Sequence, residues 1–202
     1  MTRISRNDIL YDGCYAHVIS RSIRKIKLFK DEEDFKNFKQ LLLRTKGKGK
    51  FKIYHYCLMQ THFHLVVRMN NVKDFSFAMR DIKRSYVTDF HTKYKLSGPM
   101  WRERYRSLLI ENEAYLFACG KYIEENPVKA GLISRSAQWP YSSSRHYEQN
   151  QPDELVDAYD KDIREIKRTV IDKAEFERGS VIGSSFFRFQ FFESRKRFRP
   201  VP

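Results

Sequence analysis

The sequence predicts an α+β fold of the ferredoxin-like βαββαβ type: an antiparallel sheet with helices on one face, then an extra helix and a C-terminal extension. Three observations carry this. Tyr54 to Arg68 reads as two strands around a tight turn. The stretches before and after that hairpin switch to the helical period. Breakers separate the elements, at Gly47-Lys48-Gly49-Lys50, at Gly98-Pro99 and at Pro127.

Taken in order, Cys14 to Arg21 alternates apolar and polar residues and reads as a first strand. Asp31 to Lys46 reads as a helix: Phe35, Phe38, Leu41 and Leu42 fall at helical spacing, acidic residues open it and basic ones close it, as the helix dipole prefers. Strands 51–58 and 62–69 form the hairpin. Val72 to Tyr94 repeats the helical period through Phe75, Met79, Ile82, Tyr86, Val87 and Phe90. Ser107 to Ile110 is a short apolar fourth strand, and Asn112 caps a helix running to Glu125 before Pro127. A sheet of this kind buries one face under its crossover helices and leaves the other for chemistry.

The hairpin holds the most informative residues. Side chains two apart in a strand share a face, so His62 and His64 lie with Val66 and Arg68, while Phe63, Leu65, Val67 and Met69 face the core. Two imidazoles at fixed separation on a rigid strand suit a divalent metal or a catalytic role. The alternative is a pair of polar residues on a solvated face. His55 and Cys57 on the preceding strand could join them in a structural zinc site, although cross-strand partners lie side by side rather than tetrahedrally.

The 202 residues suffice for one main core, and 39 Lys and Arg against 25 Asp and Glu give a net charge of +14 and a pI of about 9.7. Such an excess points to a polyanion, nucleic acid foremost. No run approaches the about 18 apolar residues of a spanning helix, which argues against a membrane. The N-terminus has no apolar stretch of signal-peptide type, so the expected location is cytoplasmic, associated with DNA. Cys14, Cys57 and Cys119 are isolated and suggest neither a disulfide framework nor a thiolate zinc knuckle.

On the helix after the fourth strand, Leu116, Cys119 or Gly120, and Ile123 supply the buried stripe, and Tyr115 and Tyr122 fall together near another face, with Asn126 one turn on. A tyrosine on such a helix is ordinarily a half-buried core residue. The combination of His62-Phe63-His64, Trp101-Arg102-Glu103-Arg104-Tyr105, Tyr122-Ile123-Glu124-Glu125-Asn126-Pro127-Val128-Lys129-Ala130-Gly131 and Trp139-Pro140-Tyr141-Ser142-Ser143, in this order, resembles the REP-associated tyrosine transposases of the single-tyrosine HUH nucleases. The resemblance runs from about Gly13 to His146.

The resemblance implies that His62 and His64 hold a divalent metal, Mg²⁺ or Mn²⁺. Asn126 would complete that site, and Tyr122 would be the nucleophile, cutting single-stranded or hairpin DNA through a 5′-phosphotyrosine bond. Relatives place the tyrosine in the same subunit or in a partner's, and exchange between chains would require a homodimer. For DNA phosphates the expected contacts are Lys83, Arg84, Arg102, Arg104 and Arg106. Two other readings stand beside this one: a non-catalytic nucleic-acid-binding ferredoxin-like module, and the structural zinc protein.

The catalytic domain is expected to span 1–148 and a basic, aromatic extension 149–202, joined at Gln149-Asn150-Gln151-Pro152, with a short amphipathic helix from Glu154 to Phe176. From Phe186 to Arg199 six phenylalanines interleave with five basic residues, among them Arg195, Lys196 and Arg197. Such a tail can bind phosphates and stack on bases, or dock onto the core.

Overall fold

The structure is a computed structural model that describes residues 10–48 and 50–160. Strand β1 (Tyr15–Arg21) leads through a 3-10 turn (Ile23–Lys25) to helix α1 (Glu32–Lys46). Strands β2 (Phe51–Met59) and β3 (His62–Met69) form the hairpin, and helix α2 (Val72–Tyr94) returns the chain to strand β4 (Arg106–Ile110). Helix α3 (Glu113–Glu124) follows, then short helices α4 (Asn126–Lys129) and α5 (Ser144–Gln149). The sheet order is β2-β3-β1-β4 with every neighbouring pair antiparallel, so β3 sits between the two strands that α1 connects, as the split βαβ pattern requires.

Each long helix starts where its cap residue stands. The Asp31 side chain accepts from the Asp34 amide at 3.0 Å while Asp34 accepts from the Asp31 amide, a reciprocal box that opens α1. Asn71 caps α2 by accepting from the Asp74 amide at 2.9 Å, and Asn112 caps α3 by accepting from the Tyr115 amide at 2.7 Å.

One face of the sheet packs under α1 and α2. Phe63, Leu65, Val67 and Met69 of β3 meet Phe35, Phe38 and Leu42 of α1 and Phe75, Met79, Ile82 and Tyr86 of α2 in the main core. In β2 the phase of the alternation changes at a bulge between Ile53 and His55. Phe51 and Ile53 point to this core before it, Tyr56 and Leu58 after it, and Tyr54 goes to the opposite face.

That opposite face is not left open. Helix α3 lies across β2, β3 and β4, and Leu116, Cys119 and Ile123 pack with Tyr15, Tyr54, Val66 and Ile110 in a second core. Consequently His64 is buried, with 3% of its surface exposed. This corrects the expectation of a less buried side for the histidine pair. Tyr115 is also buried in the second core, not paired with Tyr122 outside it.

The amphipathic helix expected from Glu154 does not begin there. Residues 154–160 run without regular helix as a strap along β2, and the remainder of that expected segment lies outside the described residues. The reason lies in the acidic side chains: Asp153 accepts from Tyr56 Oη at 2.6 Å, Asp157 from the Ile53 amide at 2.8 Å, and Asp160 from Tyr54 Oη at 2.6 Å and Arg68 at 2.7 Å. These partners reward an extended path antiparallel to β2. Trp139 to Ser143 cover the same edge, with Leu58 N–H donating to Tyr141 O at 2.8 Å and Ser143 N–H to Tyr56 O at 3.0 Å. Among the described residues no helix is long and apolar enough to cross a membrane.

Candidate functional site

His62 and His64 stand on one face of β3 with ring centroids 5.0 Å apart. A third imidazole, which the sequence pattern alone did not single out, joins them. His17 of β1 is opposite Val66 in the register, hence diagonal to His64, and its Nε2 lies 2.9 Å from His64 Nδ1. The two rings stack at 5.2 Å. Thr61 Oγ1 lies 3.1 Å from His62 Nδ1, where it can accept that nitrogen's proton.

All three imidazoles are held neutral well below the usual range. Burial pushes His17 down to about 3. Burial, then the Arg21 cation, brings His62 to about 3. Burial, then the neighbouring imidazoles and Arg21, holds His64 well below the ordinary imidazole value. Neutral imidazole is the ligating form. Arg21 is directly opposite His62 in the β1–β3 register, so a fixed positive charge flanks the pair. Period-two alternation along Tyr15, His17, Ile19 and Arg21 was the available signal for both His17 and Arg21. Their partners, however, are set by a pairing more than forty residues away in sequence.

The Trp101–Tyr105 segment is stitched to the end of β1: Ser22 bridges Trp101, and the Arg102 amide donates to Arg21 O at 2.9 Å. Arg84, Arg102, Arg104 and Arg106 are exposed, with Arg106 Nε 2.7 Å from Glu103 Oε1. Lys83 differs from them. It is buried, donates to Ser20 Oγ at 2.8 Å, Glu103 O at 2.7 Å and Arg104 O, and sits over the Trp101 ring. Its ammonium organises the arginine segment from within, which corrects its expected place at a DNA surface. Arg195, Lys196 and Arg197 lie outside the described residues.

Tyr122 is half-buried on α3, packed at the margin of the second core on the same sheet face as the histidines. The Lys129 ammonium sits 4.0 Å from its ring centroid, a cation–π contact. Asn126 donates through Nδ2 to Ile123 O at 2.9 Å and Tyr122 O at 3.3 Å, capping the end of α3. With the nitrogen so placed, Oδ1 is the atom of this side chain able to donate to a cation.

The helix carrying Tyr122 is fastened to the sheet two residues further on. Glu124 is buried and its Oε1 accepts from His55 Nδ1 at 2.8 Å and Ser143 Oγ at 2.5 Å, while Tyr159 Oη of the strap donates to His55 Nε2 at 2.5 Å. His55 is thereby turned away from Cys57, His62 and His64, and the four do not gather as a zinc site. Burial holds the Cys57 thiol well up. Among the described residues no group of three or more His, Cys, Asp or Glu could hold an ion. A cation here would have the two imidazoles of β3 as its nitrogen ligands.

The donor set nonetheless suits such a cation on one observation. His64 Nε2 is buried and has no hydrogen-bond partner among the described residues. An orphaned ring nitrogen beside a second imidazole is what a ligand position looks like before its ion.

The family model described as "Transposase IS200 like" matches residues 10–126, and the chain belongs to this family, whose members are enzymes. It is similar to a Haemophilus influenzae (strain ATCC 51907 / DSM 11121 / KW20 / Rd) protein named as a REP-associated tyrosine transposase, 25% identical over 149 residues, which cover 68% of this chain and 83% of that protein. It is also similar in fold to a solved REP-associated tyrosine transposase bound to a REP hairpin, with a TM-score of 0.61 and 21% identity over 79% of this chain and 93% of that one.

Proposed function

We propose that this chain is a metal-dependent single-stranded DNA endonuclease and strand transferase that acts on hairpin or repeat DNA with Tyr122 as nucleophile. The observation that carries the reading is the orphaned Nε2 of buried His64, beside His62, on the sheet face that the Tyr122 helix covers. The REP hairpin held by the structural neighbour supports hairpin DNA as the substrate class.

A phenol with an ordinary pKa of about 10 is a weak nucleophile at neutral pH. His62, His64 and Asn126 Oδ1 would hold Mg²⁺ or Mn²⁺, which would supply charge withdrawal at the scissile phosphate. The chain's own residues do the rest. Tyr122 Oη loses its proton and attacks phosphorus, the Oη–P bond forms, and the P–O3′ bond breaks, releasing a 3′-hydroxyl once its oxygen takes up a proton. Lys129 over the ring and Arg21 beside the histidines offset negative charge at the two ends of this path. Arg84, Arg102, Arg104 and Arg106 hold the phosphates that flank the cut. Because the phosphotyrosine keeps the energy of the diester it replaced, attack by another 3′-hydroxyl reverses the step and joins strands without a nucleotide cofactor.

The test is incubation with single-stranded hairpin oligonucleotides and Mn²⁺ or Mg²⁺, followed by denaturing electrophoresis. A denaturation-resistant protein–DNA adduct is expected, lost in Tyr122→Phe with binding retained. Binding with no adduct in the native protein under either metal would leave the non-catalytic binding module as the better account.

A further inference from the structure

We propose that His17 is the positioning residue of the metal pair: its Nε2 accepts a hydrogen bond from His64 Nδ1 and thereby fixes His64 in the tautomer whose Nε2 carries a lone pair for a divalent cation. The proposal rests on the metal reading above and adds a residue which that reading does not use.

The geometry admits two tautomer arrangements across the 2.9 Å contact. If His17 donated, His64 would carry its proton on Nε2, and that atom would have no lone pair to offer a cation. If His64 donates, its Nε2 presents a lone pair in the same place, and the orphaned atom becomes the ligating atom. Ligating histidines characteristically give their other ring proton to a neighbouring acceptor, which sets both tautomer and ring orientation. That acceptor is commonly a carboxylate or a carbonyl, and here an imidazole takes that part.

Position supports the assignment. His17 is 1% exposed in the middle of β1, between Val66 of β3 and Leu108 of β4. An apolar residue would fit this strand at no polar cost, so an imidazole needs a reason. The stacked rings at 5.2 Å restrict rotation of His64 as well as its protonation. His17 stands behind the ligand, one strand removed, and acts only through it.

The decisive measurement on the unaltered protein is a long-range ¹H–¹⁵N correlation spectrum of the metal-free chain at neutral pH. His64 is expected as the Nδ1–H tautomer, and an Nε2–H assignment would overturn the proposal. Mn²⁺ affinity, read by electron paramagnetic resonance of the free ion, gives the second arm. His17→Phe, which keeps a ring and removes the acceptor, is expected to weaken Mn²⁺ binding about 10- to 100-fold. His17→Gln, whose carboxamide oxygen can accept, should recover most of it. Unchanged affinity in folded His17→Phe, alongside Mn²⁺ binding by the native chain, overturns the positioning role alone. No Mn²⁺ binding by the native chain, with or without hairpin DNA, overturns the metal reading and this proposal together. Should His17→Phe fail to fold, the tautomer spectrum still decides.

Discussion

Gly120 marks the closest approach of α3 to the sheet. A Cβ built there would lie 2.3 Å from His55 Nε2 and 2.4 Å from two ring carbons. In a free helix, glycine to alanine stabilises by up to about 1 kcal/mol. Here the sign should reverse, since His55 is held from both sides by Glu124 and Tyr159 and cannot retreat. Gly120→Ala is expected to destabilise by roughly 1–3 kcal/mol in urea unfolding; a stabilised variant would mean that α3 does not lie this close to His55. At this scale the sequence singled out His62 and His64 by type and spacing, and Tyr122 by the family resemblance, as candidates. It did not show what surrounds them. His17 and Arg21 became visible only through a register that pairs distant strands, Glu124 only through the packing of α3 on β2, and Lys83 looked like its exposed neighbour Arg84 until burial separated the two.

Among the elements, the strap is where pattern and structure part. Leu155 and Tyr159 recur at helical spacing, yet Leu155 enters the main core and Tyr159 packs against the second, so the segment wraps the β2 edge from one face to the other. The competing term is the bulge at Ile53, which interrupts the ladder with β3. Asp157 satisfies the Ile53 amide through its side chain, and the Asp157 amide donates to Ile53 O at 2.7 Å. Asp157→Ala should therefore cost about 1–3 kcal/mol, as expected for a buried amide stripped of its acceptor. Hydrogen exchange at Ile53 should rise in that variant, and unaltered protection there would contradict the assignment. The strands and three long helices were legible because caps, breakers and periodicity agreed; a bulge has no such local signature, and the strap that answers it inherited the ambiguity.

For the molecule as a whole, charge and burial give two expectations. The exposed arginines at 102 and 104 should bring a steep salt dependence to single-strand binding, and the double change to glutamine should reduce the slope of log affinity against log salt by about 0.7 for each phosphate no longer neutralised. The second concerns acid. An unfolded imidazole protonates near about 6.5, whereas His17 and His62 resist until about 3 in the fold. Between those values the unfolded chain binds more protons, so the stabilisation is complete above 6.5 and is lost as pH falls toward 3. Melting of metal-free protein should drop steadily between pH 7 and pH 4.5, and His17→Phe should flatten that decline; a Tm independent of pH in this window would show the imidazoles to be solvated.

The Glu124–His55–Tyr159 chain has a kinetic corollary. Lending Tyr122 to another copy would require breaking the buried contacts of Glu124 with His55 and Ser143, so each polypeptide should supply its own attacking phenol. Adduct formed per protein molecule should then be unaffected by hundredfold dilution, provided DNA and metal remain saturating.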